Sequence, residues 1–145
     1  MPEQDGAGAR LMPVLAVRGG AGAVDFYARA FGARERMRVT APDGAVVAEL
    51  EIAGHGLMVA DESPEHGNPA PESLGGSTVR LALVVADPDA LAARAVAAGA
   101  RLVYAVADQD YGWRLGRVVD PYGHHWEIGR PLEGGPERPG GTGGA

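Results

Sequence analysis

VDFYARAFGAR (Val24–Arg34) and LAARAVAAGAR (Leu91–Arg101) end on the same Gly-Ala-Arg tripeptide, and each follows a β-rich apolar run. In the first stretch Val24, Tyr27 and Phe31 fall on one side at helical spacing, which places a helix over about Ala23–Phe31. Gly32 then stands where a left-handed cap is wanted. In the second, Asp87 is the expected N-cap, Pro88 the first helical residue and Gly99 the closing glycine. Working outward, LMPVLAV (Leu11–Val17) precedes the first helix as a strand, and ARERMRVT, AVVAELEIAG and HGLMVAD follow it. VRLALVV (Val79–Val85) precedes the second helix, and RLVYAVAD, LGRVVDPYG and HHWEIGRP follow. Strand, helix, strand, strand, strand therefore occurs twice, with Val17 matching Val85 and Gly54 matching Gly123. An internal repeat constrains architecture before any motif is read.

The expected fold class is α+β: two βαβββ modules, over 11–61 and 78–131. Residues 62–77, ESPEHGNPAPESLGGS, are too rich in Pro, Gly and Glu for regular structure and read as the linker. Residues 1–10 read as a flexible lead-in. Residues 132–145 have almost no apolar content and are expected to be disordered.

Composition removes several chemistries. The chain has 145 residues and no cysteine, which excludes disulfides, thiolate nucleophiles and thiolate metal sites. All 13 basic residues are arginine, so there is no lysine for a Schiff base or a P-loop. The net charge of −6 argues against a nucleic-acid partner. No apolar run approaches a membrane span and no signal-peptide core opens the chain, so the cytoplasm is the expected location and no membrane partner is expected. The serines lie in or beside the linker without the context of a nucleophile elbow.

The duplicated plan, with AVDFYARAFGA, LMVADE, SLGGS and DQDYGWRLGRVVDPYGHHWEI, resembles the vicinal oxygen chelate superfamily. That superfamily includes glyoxalase I, extradiol dioxygenases, and fosfomycin- and bleomycin-resistance proteins; the closing motif is similar to its PhnB-like subgroup. The resemblance covers about Met12–Pro131. It implies a curled mixed sheet around a cavity, a homodimer, and four positions facing a common metal. Those positions fall at Met12 and Arg80 on the first strand of each half, and at Met58 and Glu127 on the last.

Only Glu127 is a metal-binding residue type at these positions. A thioether suits hard divalent ions poorly, and a guanidinium has no lone pair to give. Arg80 suits instead an ion pair with Glu127 or a negative group on a ligand. His125 and Glu127 share a strand face and could form a two-residue chelate for Ni, Mn or Fe, whereas His124 points away as a turn histidine bonded to backbone. Trp126 lies opposite Glu127 and is expected in the core. Trp113, in the YGWR loop with Tyr111 beside it, is read either as a pocket tryptophan or as an anchor for that loop. Arg34, Arg36 and Arg38 alternate opposite Glu49 and Glu51 and read as a lattice of surface charge pairs.

The expectation is a metal-independent small-molecule binder with no cofactor, similar to the bleomycin-resistance proteins that sequester antibiotics. Met12, Met58, Arg80, Tyr111, Trp113, His125 and Glu127 are its expected ligand-binding residues. The alternative is a lyase, isomerase or cyclase of the same superfamily. It would use Glu127 with His125 as metal ligands, or Glu127 or Glu49 as a general base.

Overall fold

Along Val46–Ile52 the side chains alternate between buried and open, with Val46, Ala48, Leu50 and Ile52 inside and Val47, Glu49 and Glu51 outside. A period of two with one apolar face makes a strand that packs on one side only. The computed structural model describes residues 8–137 and builds two such sheets. The first module runs β1 (Val14–Val17), α1 (Gly20–Phe31), β2 (Arg34–Thr40), β3 (Val46–Ile52) and β4 (His55–Asp61). The second runs β5 (Arg80–Val84), α3 (Pro88–Ala98), β6 (Arg101–Asp108), β7 (Trp113–Val119) and β8 (His125–Pro131), with the short helix α2 (Pro71–Leu74) between the modules. Strand order is β1-β4-β3-β2 in one sheet and β5-β8-β7-β6 in the other, the first pair parallel in each. The expected α+β architecture of two βαβββ repeats is the observed one.

The apolar faces of both sheets turn toward each other with α1 and α3 between them. Leu15, Val17, Leu50 and Val59 of the first sheet belong to one core with Val118, Trp126 and Ile128 of the second. The helices touch directly: Arg94 Nε donates to Arg29 O at 2.7 Å, and Arg29 Nη1 donates to Ala98 O at 3.3 Å. Phe31 of α1 reaches the Trp126 ring, with 4.6 Å between centroids. Asp120 joins the halves at depth. Its carboxylate accepts from the Tyr27 hydroxyl of the first module, from Trp126 Nε1 at 2.9 Å, and from the backbone N–H of Tyr122 and of His124. The other face of each sheet, carrying the charged residues, consequently points outward.

Several local expectations are corrected. α1 begins at Gly20, ahead of Ala23, because Asp61 at the end of β4 accepts from the N–H of both Gly19 and Gly20, each at 2.9 Å. That cap comes from 41 residues away and has no local signature. β1 begins at Val14, so Met12 precedes it. The linker is ordered by Glu62, which accepts from Ala70 N, Ser73 Oγ and Arg18 Nε, and these bonds lower its pKa to about 2. Within it, Pro64–His66 and Pro71–Leu74 form helical turns, each with proline in its first turn.

Expected disorder from 132 meets a packed segment as far as the description extends: Leu132 N donates to Gly112 O, and Pro136 lies over Trp113. The rest of that expected tail, and 1–7 of the lead-in, lie outside the described residues. The β2 charge lattice is broken by a bulge between Glu35 and Met37. Arg36 stays on the outward face and bonds Glu51 at 3.1 Å, whereas Arg38 turns to the other side and pairs with Glu35 at 2.8 Å. One inserted residue reverses the alternation.

Candidate functional site

The outward face of the second sheet gathers most of the expected residues. β7 and β8 pair so that Arg117 stands opposite Glu127 and Val119 opposite His125, while β5 places Arg80 beside His125. Both arginines converge on one oxygen. Arg80 Nε lies 2.9 Å and Arg117 Nη2 lies 2.7 Å from Glu127 Oε2. The Arg117 guanidinium also lies over the Tyr104 ring, 5.5 Å from its centroid. Among the described residues the buried Arg117 Nε and His125 Nδ1 have no hydrogen-bond partner. Tyr111 stands nearby; partial burial, then the Tyr104 hydroxyl and the Glu127 carboxylate, raises its pKa.

His125 carries the electrostatic signature of this face. Burial, followed by the charges of Arg117 and Arg101, holds its pKa below the usual imidazole value of 6.5. Because the folded value is depressed, the contribution to stability is complete above pH 6.5 and is lost as pH falls through the folded value. Stability measured by urea titration should therefore decline on acidification below 6.5, and His125→Gln should flatten that slope. An unchanged slope in the variant would show that His125 is not the titrating group.

The outward face of the first sheet holds the other half of the expected set. Met58 pairs with Glu49, and Met12 lies over Gly56, where an added Cβ would sit 3.1 Å from its sulfur. Glu49 is 3.5 Å from Arg10 Nη1 and 4.0 Å from Arg36 Nη1. The four positions are thus not united within one chain: Met58 lies on the first sheet with Met12 packed against it, and Arg80 and Glu127 lie on the other. No hydrogen bond or ion pair among the described residues joins the two outward faces.

Trp113 does not belong to the site as expected. It is the first residue of β7 and not part of a loop; it is fully buried, and Nε1 donates to Pro136 O at 2.5 Å. Trp126 is core, as alternation required. His124 bonds backbone, as expected of it, but across the module junction: Nε2 meets Ala16 O at 2.8 Å. Sequence reasoning missed Arg117 and Tyr104. Arg117 was accessible in principle, since a hairpin closing at Gly123 places it opposite Glu127. Tyr104 was not, because β6 carries two register shifts.

The donor set does not fit a divalent metal. Glu127 Oε2 is engaged by two guanidiniums, a fixed cation stands at Arg80, and the remaining positions are thioethers. Among the described residues no cluster of three or more His, Cys, Asp or Glu could hold an ion. His125 shares this sheet face with Glu127 as the expected two-residue chelate, but Glu127 Oε2 is the atom the two arginines hold.

Two βαβββ modules, each with a four-stranded mixed sheet, define a glyoxalase-like fold class. The chain belongs to the Glyoxalase/Bleomycin resistance protein/Dioxygenase superfamily, whose family model matches residues 10–128. An uncharacterized Mycobacterium bovis protein is 45% identical over 126 residues, covering 84% of this chain and 83% of its own. TioX from Micromonospora sp. ML1 is 33% identical with a TM-score of 0.66, covering 86% of this chain and all of that one (100%). The fosfomycin resistance protein FosX of Listeria monocytogenes, 14% identical with a TM-score of 0.66 over 86% of this chain and 94% of that one, shares the fold alone. No helix among the described residues is long and apolar enough to cross a membrane.

Proposed function

We propose that this protein binds a small organic molecule without a metal, in the manner of antibiotic-sequestering members of the superfamily, and that it does so in the cytoplasm as a homodimer of PhnB-like type. The carrying observation is the convergence of Arg80 and Arg117 on Glu127 Oε2, at the position the resemblance assigns to a metal ligand. With Oε2 already accepting from two guanidiniums, Glu127 has that oxygen committed and not free to approach a metal or a substrate proton. This disfavours Glu127 as a general base as well as a ligand.

The homodimer reading rests on the outward faces. Val14, Val39 and Val84 are 64%, 58% and 57% exposed on them, beside Tyr104 and the charged rows. A second copy, placing its first sheet over the second sheet of its partner, would cover these groups and enclose a groove between them. Binding there needs no nucleophile, only apolar walls and a few convergent polar groups.

The test is a calorimetric titration of chelator-treated protein with Ni²⁺, Mn²⁺ and Fe²⁺, repeated on Glu127→Ala, together with sedimentation over a concentration series. The expected outcome is no micromolar metal binding and a dimer at micromolar protein. Micromolar, Glu127-dependent binding would sink the metal-free reading.

A further inference from the structure

The chain as a whole is acidic, at −6, yet its outward strand faces are not. On the first sheet Arg10, Arg34 and Arg36 stand against Glu49 and Glu51, a surplus of one positive charge. On the second sheet Arg80, Arg101 and Arg117 stand against Glu127 alone, a surplus of two. Whichever way two copies bring these faces together, the sum stays positive. Two further carboxylates act on groups of this face: Asp110, in the turn before β7, on Tyr111, and the buried Asp120 on His125.

The unused bonding capacity lies in the same place. Arg117 spends Nη2 on Glu127 with its side chain still 23% exposed, and Arg80 spends only Nε, its side chain 54% exposed. Two guanidiniums sharing one carboxylate oxygen can accept a second carboxylate in the planar geometry they favour. Around them the surface is apolar or aromatic: Ala82 and Val84 extend along β5, and Tyr104 and Tyr111 flank Arg117 and Glu127.

We infer that the ligand of this site is an anion, a planar apolar molecule carrying a carboxylate that bonds Arg117 and Arg80 beside Glu127. This rests on the binding function proposed above and narrows it: a cationic ligand is excluded from the site. Glu127 then holds the two guanidiniums in place and, as a like charge, limits affinity for the ligand anion.

The test is isothermal titration of the intact protein with 2-naphthoate, 2-naphthol, 2-naphthyl phosphate and 2-naphthylmethylammonium, at two salt concentrations. Naphthoate should bind at least about tenfold more tightly than naphthol and lose affinity with salt, and the ammonium should not bind. Arg117→Gln and Arg80→Gln should each weaken naphthoate about tenfold and leave naphthol unchanged. Glu127→Gln should tighten naphthoate; circular dichroism melts establish that each variant folds. Equal binding of naphthol and naphthoate, or preference for the ammonium, would overturn the inference and leave the binding function standing. Phosphate preferred over carboxylate would overturn the carboxylate assignment. Failure of all four probes would count against both the inference and the binding function.

Discussion

Asp120→Ala should cost about 3–5 kcal/mol of unfolding free energy, a large share of what a single domain possesses. Asp120 is 4% exposed and accepts hydrogen bonds from four donors: two side chains, Tyr27 and Trp126, and two backbone N–H groups of the 120–124 turn. Alanine leaves the two side-chain donors facing a dry interior and the two part-buried N–H groups unpaired, and an unmet buried donor costs more than a made bond returns. Tyr27 contributes from α1 and Trp126 from β8, so the loss falls on the junction between the modules. Asp120→Asn keeps part of the acceptor capacity and should cost less, and Tyr27→Phe about 1–2 kcal/mol. Urea denaturation of the three variants gives the order. A cost below about 1 kcal/mol for Asp120→Ala would mean that the two modules hold together without help from this carboxylate.

Alkaline titration gives an independent reading of the same contact. Burial, then the Asp120 charge, raises the Tyr27 pKa well above 10.0. The unfolded chain therefore releases this proton first, and the stability it contributes is present below pH 10.0 and lost as pH rises above it. Tyr27→Phe should remove that part of the alkaline decline.

Gly116→Ala is the second large effect, expected at about 3 kcal/mol or more. A Cβ on Gly116 would sit 2.6 Å from Val106 N and 2.8 Å from Val106 Cα, so the obstacle is backbone and cannot rotate away. The strand β6 has two register shifts there, one on either side of Tyr104, and these carry Tyr104 over Arg117. Displacing β6 should therefore loosen the site along with the fold. Gly76→Ala is the control: a Cβ there meets nothing within 4 Å, and the change should stay within about 0.5 kcal/mol. Thermal melts of both variants decide it. Near-equal stability would show that β6 moves aside at little cost.

The site and the fold differ in how far a linear reading could reach them. Helices α1 and α3, all eight strands and the duplication are local: period 3.6 before Gly32 and Gly99, period two in β3, and turn residues between. The ion pair of Arg80 with Glu127 was one of two roles the family resemblance left open, expected across the cavity, whereas it forms between neighbouring strands of one sheet. Trp113 failed because the sequence near a tryptophan says nothing of what folds over it, and here Pro136 does. Arg36 and Arg38 parted because a bulge, which has no strict sequence signature, inverted the alternation. The cap that Asp61 gives α1 and the four bonds of Asp120 are contacts between distant elements. By itself the sequence determined the repeated βαβββ order and the absence of thiol and lysine chemistry. Only the tertiary structure decided that the helices lie between the sheets and that the charged faces point outward. It also decided that two arginines share one carboxylate, because each of these depends on which surfaces meet, and meeting is set by packing across the whole chain.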